Sequence, residues 1–226
     1  MIGFGIQKRS RAVSTELVRK FSNIPVANIS DSMSRMTAAG ASLRPMHKSG
    51  VLAGPAVTVK TRPGDNLMIH KAIDLAQPGD VIVVDGGGDL TNALIGEIMT
   101  TYASSRGIAG FVINGAIRDV DAIRQGTFPV YAAGVTHRGP YKDGPGEINV
   151  PIAIGGMVIE PGDLVIGDGD GVLCIPYLQA EDVYKAAKSK NDAEAETFKA
   201  IAAGTLDTSW IDKTLERLGV STAIDQ

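Results

Sequence analysis

Residues 80–119 read DVIVVDGGGDLTNALIGEIMTTYASSRGIAGFVINGAIRD. The stretch opens on Val81, Ile82, Val83 and Val84 and closes on Phe111, Val112 and Ile113. Each run is too short for a helix, rich in β-branched residues and apolar without alternation. That is how a strand buried on both faces of a parallel sheet reads. Gly86, Gly87 and Gly88 end the first run in a turn, and a helix is expected from there to about Ser105. Strand, helix and strand in this order make a crossover unit.

The same alternation extends outward on both sides. Upstream, 54–60 is β-branched and reads as a strand, and Asp65 can cap a helix over 66–76. Downstream, 119–124 reads as a short helix and 129–132 as a strand. Near the start, Leu17, Val18 and Phe21 share one side of a helix that Ser14 can cap, and a second short helix is expected near 27–36. After Gly134, Gly, Pro and β-branched residues predict short strands and tight turns as far as Pro176. Pro-Gly-Asp occurs three times, from Pro63, Pro78 and Pro161, and Pro then Gly suits the centre of a type II turn. A long, charged, Ala-rich helix is expected over 180–203, followed by a second short helix containing Trp210. A terminal amphipathic helix suits packing on a neighbouring subunit. The class is α/β, and no linker divides the 226 residues into separate domains.

Bulk properties narrow the function classes. Lys and Arg total 22 against 25 Asp and Glu, a formal charge of −3 that does not advertise nucleic-acid binding, although a local basic patch is compatible with it. No stretch approaches the roughly 18 apolar residues of a membrane helix, and the first residues lack a secretory signal. The single cysteine, Cys174, forbids an internal disulfide and fits a cytoplasmic setting. It lies in an apolar run, where a buried core residue is the expected role. The histidines, His47, His70 and His137, have no zinc-binding spacing. His70 and Asp74 are four apart and read as a surface pair. There is no nucleophile elbow, no P-loop, and no Rossmann spacing after Gly86.

Two constellations could carry chemistry. Arg118 and Asp119 follow the apolar strand, which is read as ending at Asn114 with a sharp turn at Gly115. Open α/β sheets place ligands at such strand ends. Arg offers a planar fork to a carboxylate or enolate oxygen, and Asp is a hard oxygen ligand for Mg²⁺ or Mn²⁺. A helix-capping Asp119 beside a surface Arg118 is the reading that spacing alone favours over a site. In the second constellation, Gly96 would cost roughly 1 kcal/mol inside a helix relative to Ala. A helix beginning at Gly96 would instead present the amides of Gly96, Glu97, Ile98 and Met99 to an anion, although a tolerated mid-helix glycine also fits. The segment 137–149 packs His137, Arg138, Tyr141, Lys142, Asp143 and Glu147 onto a Gly/Pro-framed loop, suited to a site rim, a subunit contact or plain solvation.

The chain resembles the RraA-like family, which includes 4-hydroxy-4-methyl-2-oxoglutarate aldolases and the regulator of RNase E activity. Its aldolase members carry an acidic residue, twenty intervening residues, then Arg-Asp. Here Glu97 precedes Arg118 and Asp119 at that spacing. The resemblance spans about 24–176 and includes Pro63-Gly-Asp-Asn, Pro78-Gly-Asp-Val, the segment 156–165 and Gly167-Asp-Gly-Asp-Gly-Val-Leu. One departure is Asn114-Gly115 where the family usually has Asp-Gly, which removes a carboxylate near the site.

The resemblance implies a single-domain swivelling β/β/α-type sandwich, with a helical extension over about 179–226, in a homotrimer or hexamer with sites at subunit boundaries. It implies a class II type pyruvate aldolase acting on 4-hydroxy-2-oxo acids, with oxaloacetate decarboxylation as a side activity. Asp119 would bind Mg²⁺ or Mn²⁺, and Arg118 would hold the keto oxygen. The amides of Gly96 to Met99 would cradle the carboxylate, and Glu97 would orient a water acting as base. Glu194 or Glu196 would reach a neighbouring subunit's site. The alternatives are a non-catalytic regulator binding an RNase, or a lyase for another hydroxy or sugar acid.

Overall fold

A computed structural model describes residues 3–220 of the chain. The elements run β1 (Phe4–Ile6), α1 (Thr15–Phe21), α2 (Val26–Ser32), β2 (Arg44–Pro45), β3 (Leu52–Thr61), α3 (Leu67–Leu75), β4 (Val81–Asp85) and β5 (Ala93–Ile95). Then follow α4 (Glu97–Ser105), β6 (Gly110–Ile117), α5 (Val120–Gln125), β7 (Val130–Val135), β8 (Gly146–Ile148), β9 (Ile152–Ile154) and β10 (Met157–Ile159). The described chain closes with β11 (Leu164–Gly167), β12 (Val172–Ile175), a 3₁₀ turn (Tyr177–Gln179), α6 (Ala180–Ala203) and α7 (Ser209–Arg217).

The apolar runs become adjacent parallel strands in the order β3, β4, β6, β7. β8 and β11 pair with β3 antiparallel, β5 joins β6 in parallel, and β2 closes the far edge on β7. Side chains of the parallel strands alternate between two cores, as period-2 geometry requires. One face buries Val57, Ile82, Ile113 and Ala132 under Ile69 and Ile73 of α3, Met99 and Ala103 of α4 and Ile123 of α5. The other buries Ala56, Val83, Val112 and Tyr131 against Phe21, Ile29 and β9–β12. The crossover helices therefore share one face, and the site forms at the strand ends beneath them. Cys174 is buried in the second core, where burial pushes its thiol pKa well up, as expected of an inert core residue.

The three Pro-Gly-Asp turns share one construction. Gly64, Gly79 and Gly162 adopt φ of 75°, 89° and 88°. The Asp amide closes each turn on the carbonyl three residues back: Asp65 on Arg62, Asp80 on Gln77, Asp163 on Glu160. All three carboxylates are buried. Asp80 accepts from Gln77 N–H and Arg9, and Asp163 from Glu160 and Tyr177 N–H. Asp65 accepts from the amides of Leu67, Asp143 and Gly144. The N-cap position of α3 is Asn66 and not the expected Asp65, which stands one residue earlier, receives the first helical amide and ties the 137–149 loop to that helix.

Three expectations are corrected. The strand does not end at Asn114; it continues to Ile117 through a register shift between Ile113 and Ala116. Gly115 is not a turn residue: a Cβ there would meet Leu94 Cδ1 at 2.8 Å, so it allows β5 to lie close. And Asn92–Ile95 is not helical: Ala93–Ile95 is a strand, with α4 beginning after Gly96.

Among the described residues, contacts divide the chain into two units, at Lys188/Ser189 within α6. The second contains α7 and exposes Phe198, Ile201 and Trp210. Residues 221–226 of the expected extension lie outside the described residues. No helix among those residues is long and apolar enough to cross a membrane.

Candidate active site

The end of β6 delivers Arg118 and Asp119 to the mouth of a cavity of about 290 Å³. Arg118 N–H donates to Ile95 O at 3.0 Å, which continues the β5–β6 pairing by one bond. Asp119 then turns into the left-handed region, with φ 56° and ψ 36°. Asp tolerates that region better than most residues. Asp119 stands at the N-cap position of α5, but its side chain does not cap that helix. It crosses instead to α4, where Oδ2 accepts the Glu97 N–H at 3.0 Å. Arg118 Nε lies 3.7 Å from the same oxygen, and both side chains are 42% exposed.

Gly96 makes this approach possible. Its φ of −153° is ordinary extended backbone, so the glycine is not there for conformational freedom. A Cβ at position 96 would lie 2.3 Å from Asp119 Oδ2 and 3.0 Å from Arg118 Cγ. On the other side, a Cβ on Gly139 would stand 3.3 Å from an Arg118 terminal nitrogen. The guanidinium thus lies between two glycines, one from the start of α4 and one from the 137–149 loop.

The start of α4 is less open to an anion than its sequence suggests. Glu97 N–H is committed to Asp119, and Met99 N–H donates to Gly96 O at 3.1 Å. The four-amide cradle is therefore reduced. Gly96, Ile98 and Met99 line the cavity with Arg118 and Asp119. Glu97 does not; it lines an adjoining, more open depression together with Arg118, Asp119, Asp121 and His137. Glu194 and Glu196 lie in the second unit, paired with Lys190 and Lys199.

Asn114 sits away from the cavity. Its Nδ2 donates to Asp85 Oδ1 at 3.2 Å, and its carbonyl accepts from Gly86 and Gly88. It shapes the glycine turn after β4, where an Asp would face a second carboxylate on Asp85.

Asn66, His70 and Lys142 complete the cavity wall; the sequence reading missed Asn66 and His70 as site residues and named Lys142 only within a loop suited to a site rim, a subunit contact or solvation. Lys142 was legible as part of a dense polar loop; Asn66 and His70 were read only as helix residues. Asn66 Nδ2 donates to Leu94 O at 2.9 Å, which fixes the amide's orientation. That leaves Asn66 Oδ1 buried without a partner among the described residues. His70 is not simply one half of a surface pair with Asp74: Asp74 accepts from Tyr102 Oη. Partial desolvation and the nearby Lys142 charge lower the His70 pKa, against a weaker opposing pull from Asp74.

Among the described residues, no three His, Cys, Asp or Glu side chains converge as a metal cage. A hard cation that keeps most of its water needs only one or two carboxylates. Asp119 fits that demand. It is 42% exposed and carries two carboxylate oxygens, of which Oδ2 already accepts the Glu97 N–H.

The RraA-like family, described as Aldolase/RraA, matches residues 26–174. Over 187 residues the chain is 42% identical to a Halalkalibacterium halodurans protein named "Putative 4-hydroxy-4-methyl-2-oxoglutarate aldolase", covering 83% of this chain and 89% of that one. Among solved structures, an uncharacterised Pseudomonas syringae protein superposes with a TM-score of 0.77 at 26% identity, over 85% of this chain and 95% of that one. The RNA-processing inhibitor RraA from Thermus thermophilis gives 0.63 at 30% identity, over 67% and 92%.

Proposed function

This chain belongs to the RraA-like family, and on that premise we propose that it is a divalent-metal-dependent carbon–carbon lyase. It cleaves 4-hydroxy-2-oxo acids of the 4-hydroxy-4-methyl-2-oxoglutarate type to pyruvate, and decarboxylates oxaloacetate as a side reaction. The observation that carries the reading is the Arg118–Asp119 pair seated on Gly96 at a cavity mouth, with Asp119 anchored by Glu97 N–H.

Asp119 holds Mg²⁺ or Mn²⁺ through a carboxylate that also receives the Glu97 amide. Bound there, the cation supplies Lewis acidity toward the keto group of the oxo acid. Arg118 puts a fixed positive charge where the 2-oxo oxygen gains electron density as the C3–C4 bond breaks. The substrate's 4-hydroxyl loses its proton and becomes the carbonyl of the second product. The bonding pair passes into the pyruvate enolate, which takes a proton at C3. Glu97, in the adjoining depression, accepts the hydroxyl proton through a water. Gly96 and Ile98 contribute backbone amides to the carboxylate of the pyruvyl half. Oxaloacetate needs the same enolate without the hydroxyl step. We further propose that the chain assembles as a homotrimer or hexamer, supported by the exposed apolar side chains of the second unit.

The test is pyruvate release from 4-hydroxy-4-methyl-2-oxoglutarate and from oxaloacetate, with and without Mn²⁺. Asp119→Asn keeps a residue that tolerates the left-handed backbone, so the fold should survive while turnover falls about a hundredfold or more. Full metal-dependent activity in that variant would refute the assignment. The named activity of the Thermus relative supports a second reading, a regulator that binds an RNase. Specific capture of an RNase, undiminished in Asp119→Asn, with no turnover of either acid, would put that reading first.

A further inference from the structure

The proposed cleavage chemistry uses Gly96, Glu97, Arg118 and Asp119 and leaves the wall formed by Asn66, His70 and Lys142 without a task. Three observations give that wall a ligand. First, Lys142 is a cationic residue in the lining of a cavity whose other walls include Leu94, Ile95, Ile98, Met99 and Pro140. Second, Lys142 is held there by design of the backbone. Tyr141 exchanges two bonds with the 64–66 segment, Tyr141 N–H to Gly64 O and Asn66 N–H to Tyr141 O. Asp143 and Gly144 N–H donate to the buried Asp65, each at 2.8 Å. The residues on either side of Lys142 are therefore pinned to the start of α3, where His70 lies one turn further on. Third, Asn66 Oδ1 is a buried acceptor without a partner, in the same wall.

We propose that Lys142 and His70 receive the second carboxylate of the substrate, so that this wall selects dicarboxylic oxo acids over monocarboxylic ones of equal length. The proposal rests on the aldolase reading for which carboxylate is first and which is second. Arg118 serves the 2-oxo end, between Gly96 and Gly139. The carboxylate on C4 of the hydroxy acid falls to Lys142. His70 adds a hydrogen bond from a neutral ring, so that Lys142 alone supplies the charge. Asn66 Oδ1 provides an acceptor in the same wall for a water that bridges to the bound carboxylate.

Binding separates this inference from the catalytic reading. Titration calorimetry with Mg²⁺ present would compare 2-oxoglutarate with 2-oxopentanoate, which match in length and differ in the terminal carboxylate. The native protein should bind 2-oxoglutarate about tenfold or more tightly than 2-oxopentanoate, the scale of one hydrogen-bonded charge. Lys142→Met should bring the two affinities together by weakening the dicarboxylate alone, and Lys142→Arg should keep most of the preference. Lys142 is exposed, so these variants should fold, and a thermal melt checks it. Equal affinities in the native protein would overturn the proposal. So would a Lys142→Met variant that loses both ligands equally. Failure of the catalytic reading looks different: no pyruvate from the hydroxy acid, with the dicarboxylate preference intact.

Discussion

At the scale of single residues, the candidate site depends on atoms that are missing as much as on those present. Gly96 has no Cβ because Asp119 Oδ2 occupies the space one would need. Gly96→Ala introduces no backbone strain at φ −153°, so its effect should fall on the site and not on the fold. A displacement of about 1 Å at a reacting centre can cost on the order of a hundredfold in rate. We expect pyruvate release to fall by about that factor while the melting temperature stays within a few degrees; an active Gly96→Ala enzyme would show that Asp119 is not held as described. His70 offers a second check. Partial desolvation disfavours its charged form, and Lys142 adds repulsion, so its folded pKa lies below the usual 6.5. The unfolded chain then binds more protons as pH falls through that value, so this group's contribution to stability is present at neutral pH and lost on acidification. NMR titration of the imidazole should give a midpoint below 6.5 that rises in Lys142→Met. An unchanged midpoint would mean that the two side chains do not face each other.

At the scale of elements, the Pro-Gly-Asp turns explain how loops become parts of a core. Each Asp closes its own turn and then uses its carboxylate to collect amides from elsewhere. Asp163 binds Tyr177 N–H and so fixes the entry to the 3₁₀ turn before α6. Replacing it with Ala removes the buried carboxylate that accepts from the Glu160 and Tyr177 amides, each hydrogen bond to a charged group contributing about 1.5–3 kcal/mol. Asp163→Ala should therefore lower unfolding free energy by about 2–4 kcal/mol in urea melts. The exposed Asp182→Ala should change it by less than about 0.5 kcal/mol. Similar values for both would remove the structural role. The turns themselves were legible in the sequence, because Pro fixes φ and Gly accepts the positive φ. The long-range partners were not: Tyr177 lies 14 residues from Asp163, and Gly144 lies 79 from Asp65. Likewise β5 was hidden inside an apparent helix, because three apolar residues beside a helix start carry too short a period to separate the two.

At the scale of the whole molecule, the second unit presents Phe198, Ile201, Trp210 and Ile211 to solvent, 42–69% exposed. An apolar surface of that kind calls for a partner. Light scattering should give a mass of three or six times the 23.6 kDa chain, and a monomer would sink the assembly proposed here. The sequence by itself determined the α/β class, the two buried strands that open and close 80–117 with a helix between them, the long helix over 180–203 and the spacing of Glu97 from Arg118 and Asp119. These are local in origin: apolar period, turn chemistry and spacing act over a few residues or one crossover unit. Only the tertiary structure decided that Asp119 caps α4 rather than its own helix, that Glu97 lines a depression adjoining the main cavity, that Asn114 serves the Asp85 turn, and that Asn66, His70 and Lys142 share a wall. Each of those depends on where a side chain lands after the sheet has twisted and the loop at 137–149 has closed on Asp65. No pattern along the chain encodes that, because hydrogen bonds and excluded volume act between residues that folding alone brings together.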